Sequence, residues 1–436
     1  MHPLLLPLGV AALLSLPLAS LAQSPNNIAP LHVNADQPVD TTGVVTRAMA
    51  IDLAMRTNSE IAMAVHEVEA SEGALRQAGV IPNPVLSTQV EDTRYRDTRT
   101  TTVQINQQLE LGGKRSARIA AADRAHDLAI AEWEAKRTDI RATVTAAFYD
   151  VLSAQERLRL AQASAELAKR ATTAASKRVM AGKVSPLEET RARVAQSGVQ
   201  IELAQAQSEL ATARSRLAAT WGARQARFER VDGSVNDMPV VPDWDALAVR
   251  LEQSPNLARA RIEVDRRRAL TRVERSRQIP DITVSVGAMR DEQLGRNQAI
   301  VGVSIPLPLF DRNQGNLQEA ISRSYKAQDE LVVTEVRLKS DLAQLYESLR
   351  AARQQAELYQ TDILPGAQSA YDAATTGFEF GKFGFLDVLD AQRTLFQATA
   401  QYLRALSDAH RTAADIDRLV GGVATPARPA LNEMEK

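Results

Sequence analysis

The chain has 436 residues, room for two or three domains, but glycine (20), proline (18) and aromatic residues (4%) are sparse and alanine is abundant. That mix points to long helices more than to a mixed globular core. A formal net charge of −1 removes the electrostatic case for a nucleic-acid partner, and the absence of cysteine excludes disulfides, thiolate metal sites and a lipid-bearing N-terminal cysteine.

Residues 1–22, MHPLLLPLGVAALLSLPLASLA, are uncharged and end with Ser20 and Ala22 at −3 and −1 of a plausible cut. They read as a signal peptide, although the leading region offers only His2 as a basic group. Pro7 and Pro17 speak against a membrane anchor instead. A Pro/Asn-rich leader fills 23–44, and no later segment has the ~18 uncharged apolar residues of a spanning helix. The protein is expected to be exported and to lack a helical span.

The rest repeats itself at a spacing of about 198 residues. AGVIPNPVLSTQV (78–90) corresponds to RQIPDITVSV (277–286), LELGGKR (109–115) to LPLFDRN (307–313), and Gly182-Lys183 to Gly381-Lys382. A first repeat over 45–222, a linker at 223–243, a second repeat over 244–421 and a tail at 422–436 follow from this punctuation. Each repeat is expected to run helix, two strands, very long helix, turn, helix. From Lys114 to Ala181 there is neither glycine nor proline, which as one helix spans roughly 100 Å. Val199, Leu203, Ala206, Leu210, Ala213 and Leu217 alternate by four and three, as do Ala398, Tyr402, Ala405, Ala409, Thr412 and Ile416. Spacing of 3.5 marks coiled-coil packing, and small residues along the seam let helices approach closely.

The strands alternate. Ile282, Val284, Val286 and Ala288 share a face opposite Thr283, Ser285 and Gly287; Ala299, Val301, Val303 and Ile305 alternate with Ile300, Gly302 and Ser304. In TTVQINQQL, Val103 and Ile105 oppose Thr102, Gln104, Asn106 and Gln108. Runs of about nine to ten residues suit tilted membrane strands, with polar turns at 92–99 and 290–297. A soluble hairpin is the other reading, but its apolar face would have nothing to cover it. Four strands are too few to close a membrane barrel, so closure must come from several copies: three would give twelve strands in a cyclic homotrimer. The expected fold is mainly α with a membrane β-barrel portion: a long coiled-coil helical barrel plus four strands per chain.

An exported, twice-repeated chain with two hairpins and long rods resembles the TolC-type outer-membrane efflux family across residues 45–422. QQLELGGKRSARIAAA (107–122) and SIPLPLFDRNQGNLQEA (304–320) resemble the heavy-metal, CzcC-like branch serving RND-type tripartite pumps. The resemblance implies a homotrimer in outer-membrane lipid with a helical tunnel across the periplasm of a Gram-negative bacterium. It also implies a periplasmic adaptor and an inner-membrane RND pump as partners, and export of cobalt, zinc, cadmium, copper or nickel. Pro82, Pro84 and Pro280 would start the barrel strands; Gly112, Gly113, Pro306 and Pro308 would bend barrel into rod.

RVMAGKVSPLEETRA (178–192) and GFEFGKFGFLDVLDAQR (377–393) resemble the family's tip turns. Arg178, Gly182, Ser185, Gly377, Gly381 and Phe383 would contact the adaptor. Asp387, Asp390 and Glu188 would fall at the periplasmic gate, whereas Phe383 stands where some members carry a closing arginine. A helix-cap reading stands beside the gate reading. Ser185-Pro186-Leu187-Glu188 is a capping-box sequence, and Asp387 aligns with Glu188. Asp390, one turn beyond Asp387 on the same face, is the better gate candidate. Under three-fold symmetry the two would stack as carboxylate rings that favour cations.

No catalytic constellation or cofactor motif is present, and no enzyme activity is expected. The five histidines (2, 32, 66, 126, 410) are scattered and expected to be solvated. Metal selection is then left to the pump, with no metal site in this chain. Two other functions stay open: the same duct serving organic toxins, or an envelope coiled-coil scaffold without transport.

Overall fold

The computed structural model describes residues 43–380 and 382–421. The expected signal peptide, nearly all of the leader, Gly381 and the tail lie outside them. β1 (Gly43–Thr46) leads into α1 (Arg47–Thr57) and α2 (Ser59–Ala78), then the hairpin β2 (Val85–Glu91) and β3 (Thr100–Leu109). α3 (Lys114–Met180) and α4 (Pro186–Ala219) follow, then β4 (Phe228–Asp232). α5 (Trp244–Glu252), α6 (Pro255–Ser276) and the hairpin β5 (Ile282–Asp291) and β6 (Arg296–Ser304) repeat the pattern. α7 (Gln314–Leu358) passes through a π turn (Tyr359–Ile363) into α8 (Leu364–Glu379), and α9 (Phe385–Val420) ends the described chain.

The linker is more structured than its composition implied. β4 lies within it and pairs in parallel with β1, Val45 opposite Val231. Phe228, Val231 and Val45 are essentially fully buried against Phe148 and Val151 of α3 and Leu217 and Trp221 at the end of α4. Asn58 locks this collar. Its Oδ1 caps α2 by accepting the Glu60 and Ile61 N–H groups, and its Nδ2 donates to the Thr220 carbonyl at 2.8 Å.

His410 corrects the expectation that the histidines are solvated. On α9 it is 5% exposed, stacked on Tyr149 at 3.6 Å between ring centroids, and its Nε2 has no hydrogen-bond partner. Burial holds its imidazole below the ordinary value, opposed by a backbone hydrogen bond to Val235 and aided by the Arg47 charge. A lowered folded-state value means the unfolded chain takes up the proton first. Stability is therefore lost as pH falls below about 6.5, the unfolded value. The thermal midpoint is expected to drop more steeply between pH 7 and pH 5 in the wild type than in His410→Gln; equal slopes would exclude His410 as the cause.

Strands β2, β3, β5 and β6 form one antiparallel sheet in that order. Ile105 stands opposite both Leu86 and Val286, and Val286 opposite Val301, so one apolar row crosses all four strands. Its members are 54–76% exposed. A sheet face this apolar and uncovered in a single chain is built for a non-aqueous neighbour. The opposite face is small and polar. Asn106 donates to Ser87 at 2.9 Å and accepts from Ser285 at 2.6 Å, a bonded row across β2, β3 and β5. Two details differ from expectation. β2 has 7 residues rather than nine or ten, and the β5–β6 strands run on through Asp291 and Arg296, leaving a turn of only 292–295.

α3 is a single helix of 67 residues, roughly 100 Å long, as the uninterrupted alanine-rich stretch predicts. The seams on α4 and α9 face inward: Ala206, Ala213 and Leu217, and Tyr402, Ala405, Ala409 and Ile416, are buried. The second rod is interrupted, because Pro365 offers no N–H and its ring crowds the carbonyl one turn back. The π turn just before it absorbs the mismatch, Leu364 N–H bonding to the Tyr359 carbonyl.

Candidate functional site

Two regions hold the residues singled out by sequence. The first is the joint between sheet and rods. Gly112 and Gly113 adopt left-handed φ of 68° and 72°, and Asn313 holds the matching position before α7 at 56°. Only Gly112 is also crowded: a Cβ there would stand 2.8 Å from Ile279 Cβ and 3.0 Å from the Ser276 carbonyl. Asp281 closes the joint, accepting from Lys114 Nζ at 2.6 Å, Gln108 at 2.8 Å and the Leu111 N–H at 3.1 Å. Lys114 and Asp281 are 14% and 17% exposed, so this pair is far better shielded than the many helix-surface ion pairs. Arg115 donates to the Gly79 carbonyl and Arg118 to that of Val80, clasping α3 to the end of α2, and Arg118 also pairs with Glu110 just beyond β3. Pro82 and Pro84 lie in the connection before β2, and the Pro82 carbonyl accepts from Gln107. Pro280 precedes β5, and Pro306 and Pro308 lie between β6 and α7.

The second region is the far end of the rods. α3 stops at Ala181, and Gly182 turns left-handed at φ 66°. The Lys183 N–H returns to the Arg178 carbonyl and the Gly182 N–H to that of Val179, the paired bonds of a Schellman stop. The second tip repeats the longer bond, from Lys382 N–H to the Gly377 carbonyl at 2.7 Å. The tips lean on one another: the Arg178 guanidinium sits 4.2 Å from the Phe378 ring centre, and Ala175 and Ala192 pack with Phe378 and Leu389. Phe383 folds back onto Gly377, whose added Cβ would stand 2.1 Å from the ring. Gly377→Ala is therefore expected to loosen this turn, with faster hydrogen exchange over 376–384. Phe383→Ala in the same chain should relieve it; additive effects would refute the contact.

Of the two acids read as helix caps, Asp387 caps and Glu188 does not. Ser185 does cap α4, accepting the Leu187 N–H at 3.3 Å, but Glu188 does not complete a capping box. The reason is local: the α4 start is satisfied by Ser185 and Pro186 together, Pro186 having no N–H to cap. Asp387 reaches back instead, its carboxylate accepting the Gly384 N–H at 2.8 Å, because Gly384 has no side chain to cap α9. Asp387 and Asp390 are both exposed and line one groove of about 690 Å³ between α4 and α9, together with Glu202 and Arg393. Glu188 is not part of that lining. Glu202 had no signal of its own in the sequence, since an acid on a polar helix face is unremarkable until α9 is laid beside it. Among the described residues, no group of three or more His, Asp or Glu is placed to hold a metal ion.

A model of the outer membrane efflux protein family matches residues 50–223 and 247–422. Cobalt-zinc-cadmium resistance protein CzcC of Cupriavidus metallidurans is 48% identical over 421 residues, covering 97% of this chain and 100% of the relative. Nickel-cobalt-cadmium resistance protein NccC of Alcaligenes xylosoxydans xylosoxydans is 28% identical over 69% of this chain and 70% of its own. Among solved structures, the outer membrane protein VceC of Vibrio cholerae aligns with a TM-score of 0.72 at 21% identity, covering 86% of this chain and 96% of that one. The open MtrE outer membrane channel of Neisseria gonorrhoeae gives 0.74 at 20%, covering 86% and 89%. The structural likenesses carry the fold, and the family match spans both hairpins, both long rods and both tips. The chain belongs to the outer membrane efflux protein family.

Proposed function

We propose that this chain is the outer-membrane exit duct of a tripartite, RND-type efflux system and that its cargo is heavy-metal cations. The observation that carries the reading is the sheet. It has an exposed apolar face, a polar bonded face, and two unpaired edges, set at one end of rods roughly 100 Å long. Three copies would close twelve strands around a water-filled lumen, and the rods would continue it across the periplasm. An adaptor and an inner-membrane pump would meet the far end, through Arg178, Gly182, Ser185, Gly377, Gly381 and Phe383. The resistance protein at 48% identity and nearly full coverage supports cobalt, zinc or cadmium as cargo.

The same reading makes the tip groove the periplasmic constriction, with Asp387 and Asp390 as stacked carboxylate rings and Glu188 on the neighbouring turn. The repeat layout supports two efflux repeats, 45–222 and 244–421, with 1–22 removed on export. Deletion of the gene followed by a sensitivity screen tests the function. Hypersensitivity to cobalt, zinc and cadmium with an intact envelope is the expected result. Sensitivity to organic toxins alone would replace the cargo, and general leakiness or blebbing would favour a scaffold.

A further inference from the structure

We propose that residues 305–310, between β6 and α7, form a hook that seats on residues 80–84 of a second copy of this chain, with Phe310 as its anchor. The inference rests on the trimeric closure proposed above and adds the contact that fixes one copy against the next.

Strand direction dictates the neighbour. β2 and β5 run away from the helices, and β3 and β6 run back toward them. When the open edge of β6 meets the open edge of β2 in the next copy, the two run antiparallel. The end of β6 then lies beside the start of that β2, at the helical end of the barrel. Residues 305–310 consequently face 80–84 of the neighbour.

The chain contains its own precedent for such a joint. Within one copy, the end of β3 lies beside the start of β5, and there the two sides are fitted together. Gly112 packs directly on Ile279, and Asp281 gathers Leu111, Gln108 and Lys114. The internal repeat places Ile81 where Ile279 stands. At the open edge the corresponding partner is missing, so the same fit can be made only by another copy.

The two connections differ in a telling way. β3 reaches α3 through residues 110–113, whereas β6 reaches α7 through the much longer 305–313. The added length is apolar and uncovered: Ile305 is 50%, Leu307 74%, Leu309 64% and Phe310 91% exposed. On the facing side Val80 and Ile81 are 50% and 57% exposed. Pro306 and Pro308 have no N–H, so the segment cannot extend the strand pairing; beyond them the chain turns back on itself, the Leu309 N–H bonding to the Leu307 carbonyl at 2.9 Å. A nearly bare phenylalanine at a proline-bounded turn, opposite half-exposed aliphatic residues across an edge that must close, has the character of an interface anchor.

The native chain has no cysteine, which makes crosslinking decisive. In the full-length Phe310→Cys/Ile81→Cys protein, mild oxidation should give reducible covalent dimers and trimers on denaturing gels, and neither single variant should. Phe310→Ser should lower the temperature at which the trimer dissociates by several degrees, and Phe310→Leu should retain most of it. A trimer by light scattering that gives no crosslink would overturn the hook while leaving trimeric closure intact. A wild-type chain that is not trimeric would overturn both. Strong quenching of Phe310→Trp by brominated lipids would assign the segment to the membrane surface and also overturn it.

Discussion

Gly112→Val is expected to remove most assembled protein from the membrane. The residue sits at φ 68°, where a branched side chain costs about 1–2 kcal/mol. Its added carbon would meet Ile279 and the Ser276 carbonyl at 2.8–3.0 Å, and overpacking of this kind costs roughly 1–3 kcal/mol more. The sum, about 2–5 kcal/mol, is a large part of the stability of an ordinary domain. It falls on the one joint that holds β5 in line with α3. Heat-resistant oligomer on gels and the thermal midpoint read it out. Gly113 provides the control. It shares the backbone conformation but has only Ser116 Oγ nearby, at 3.4 Å. Gly113→Asn should be nearly silent, because Asn313 already holds the equivalent position before α7. Equal losses at the two glycines would mean that crowding against Ile279 is not what matters.

The second large effect concerns the groove acids. If Asp387 and Asp390 form the proposed constriction, removing both side chains should raise single-channel conductance several-fold and weaken preference for cations. The single variants should separate two roles. Asp387→Ala also deprives the Gly384 N–H of its acceptor, at a cost of about 1 kcal/mol in the start of α9. The Asp390 carboxylate is exposed and offers no such support, so Asp390→Ala should change current without loosening the tip. Planar bilayer recordings paired with hydrogen exchange over 384–392 measure both. Unchanged conductance and selectivity in the double variant would remove these acids from the gate.

These contrasts show where reading residues in order was enough and where it was not. The rods were legible because alanine-rich stretches without glycine or proline admit few alternatives to helix. The seams were legible because a period of 3.5 recurs in both repeats. The strand faces were legible from strict alternation, and the register sets Leu86, Ile105, Val286 and Val301 in one row. Helix caps were only half legible. Ser185 announced itself, and Asp387 caps α9 as its alignment with Glu188 suggested, but Glu188 makes no reciprocal bond on its own turn.

The missed residues share a cause. Lys114 and Asp281 meet across 167 positions, and nothing near either of them in sequence marks a partner. His410 looks like any polar residue on a helix surface until β4, α1 and Tyr149 are folded around it. The short parallel pair of β1 and β4 was hidden for the same reason, because its strands are short and all of residues 47–227, helix and hairpin, intervene.

By itself, the sequence determined the long helices and the two hairpins, their order, the two apolar periodicities and the twofold repetition, all of which depend on local backbone and side-chain preferences. The tertiary structure alone decided which polar groups become shielded partners at the joint and which tip residues lean on one another. It also decided which acids share a groove and which edges are left open for another copy. Those outcomes depend on the angle and offset at which distant helices and strands meet, and a linear pattern does not encode either.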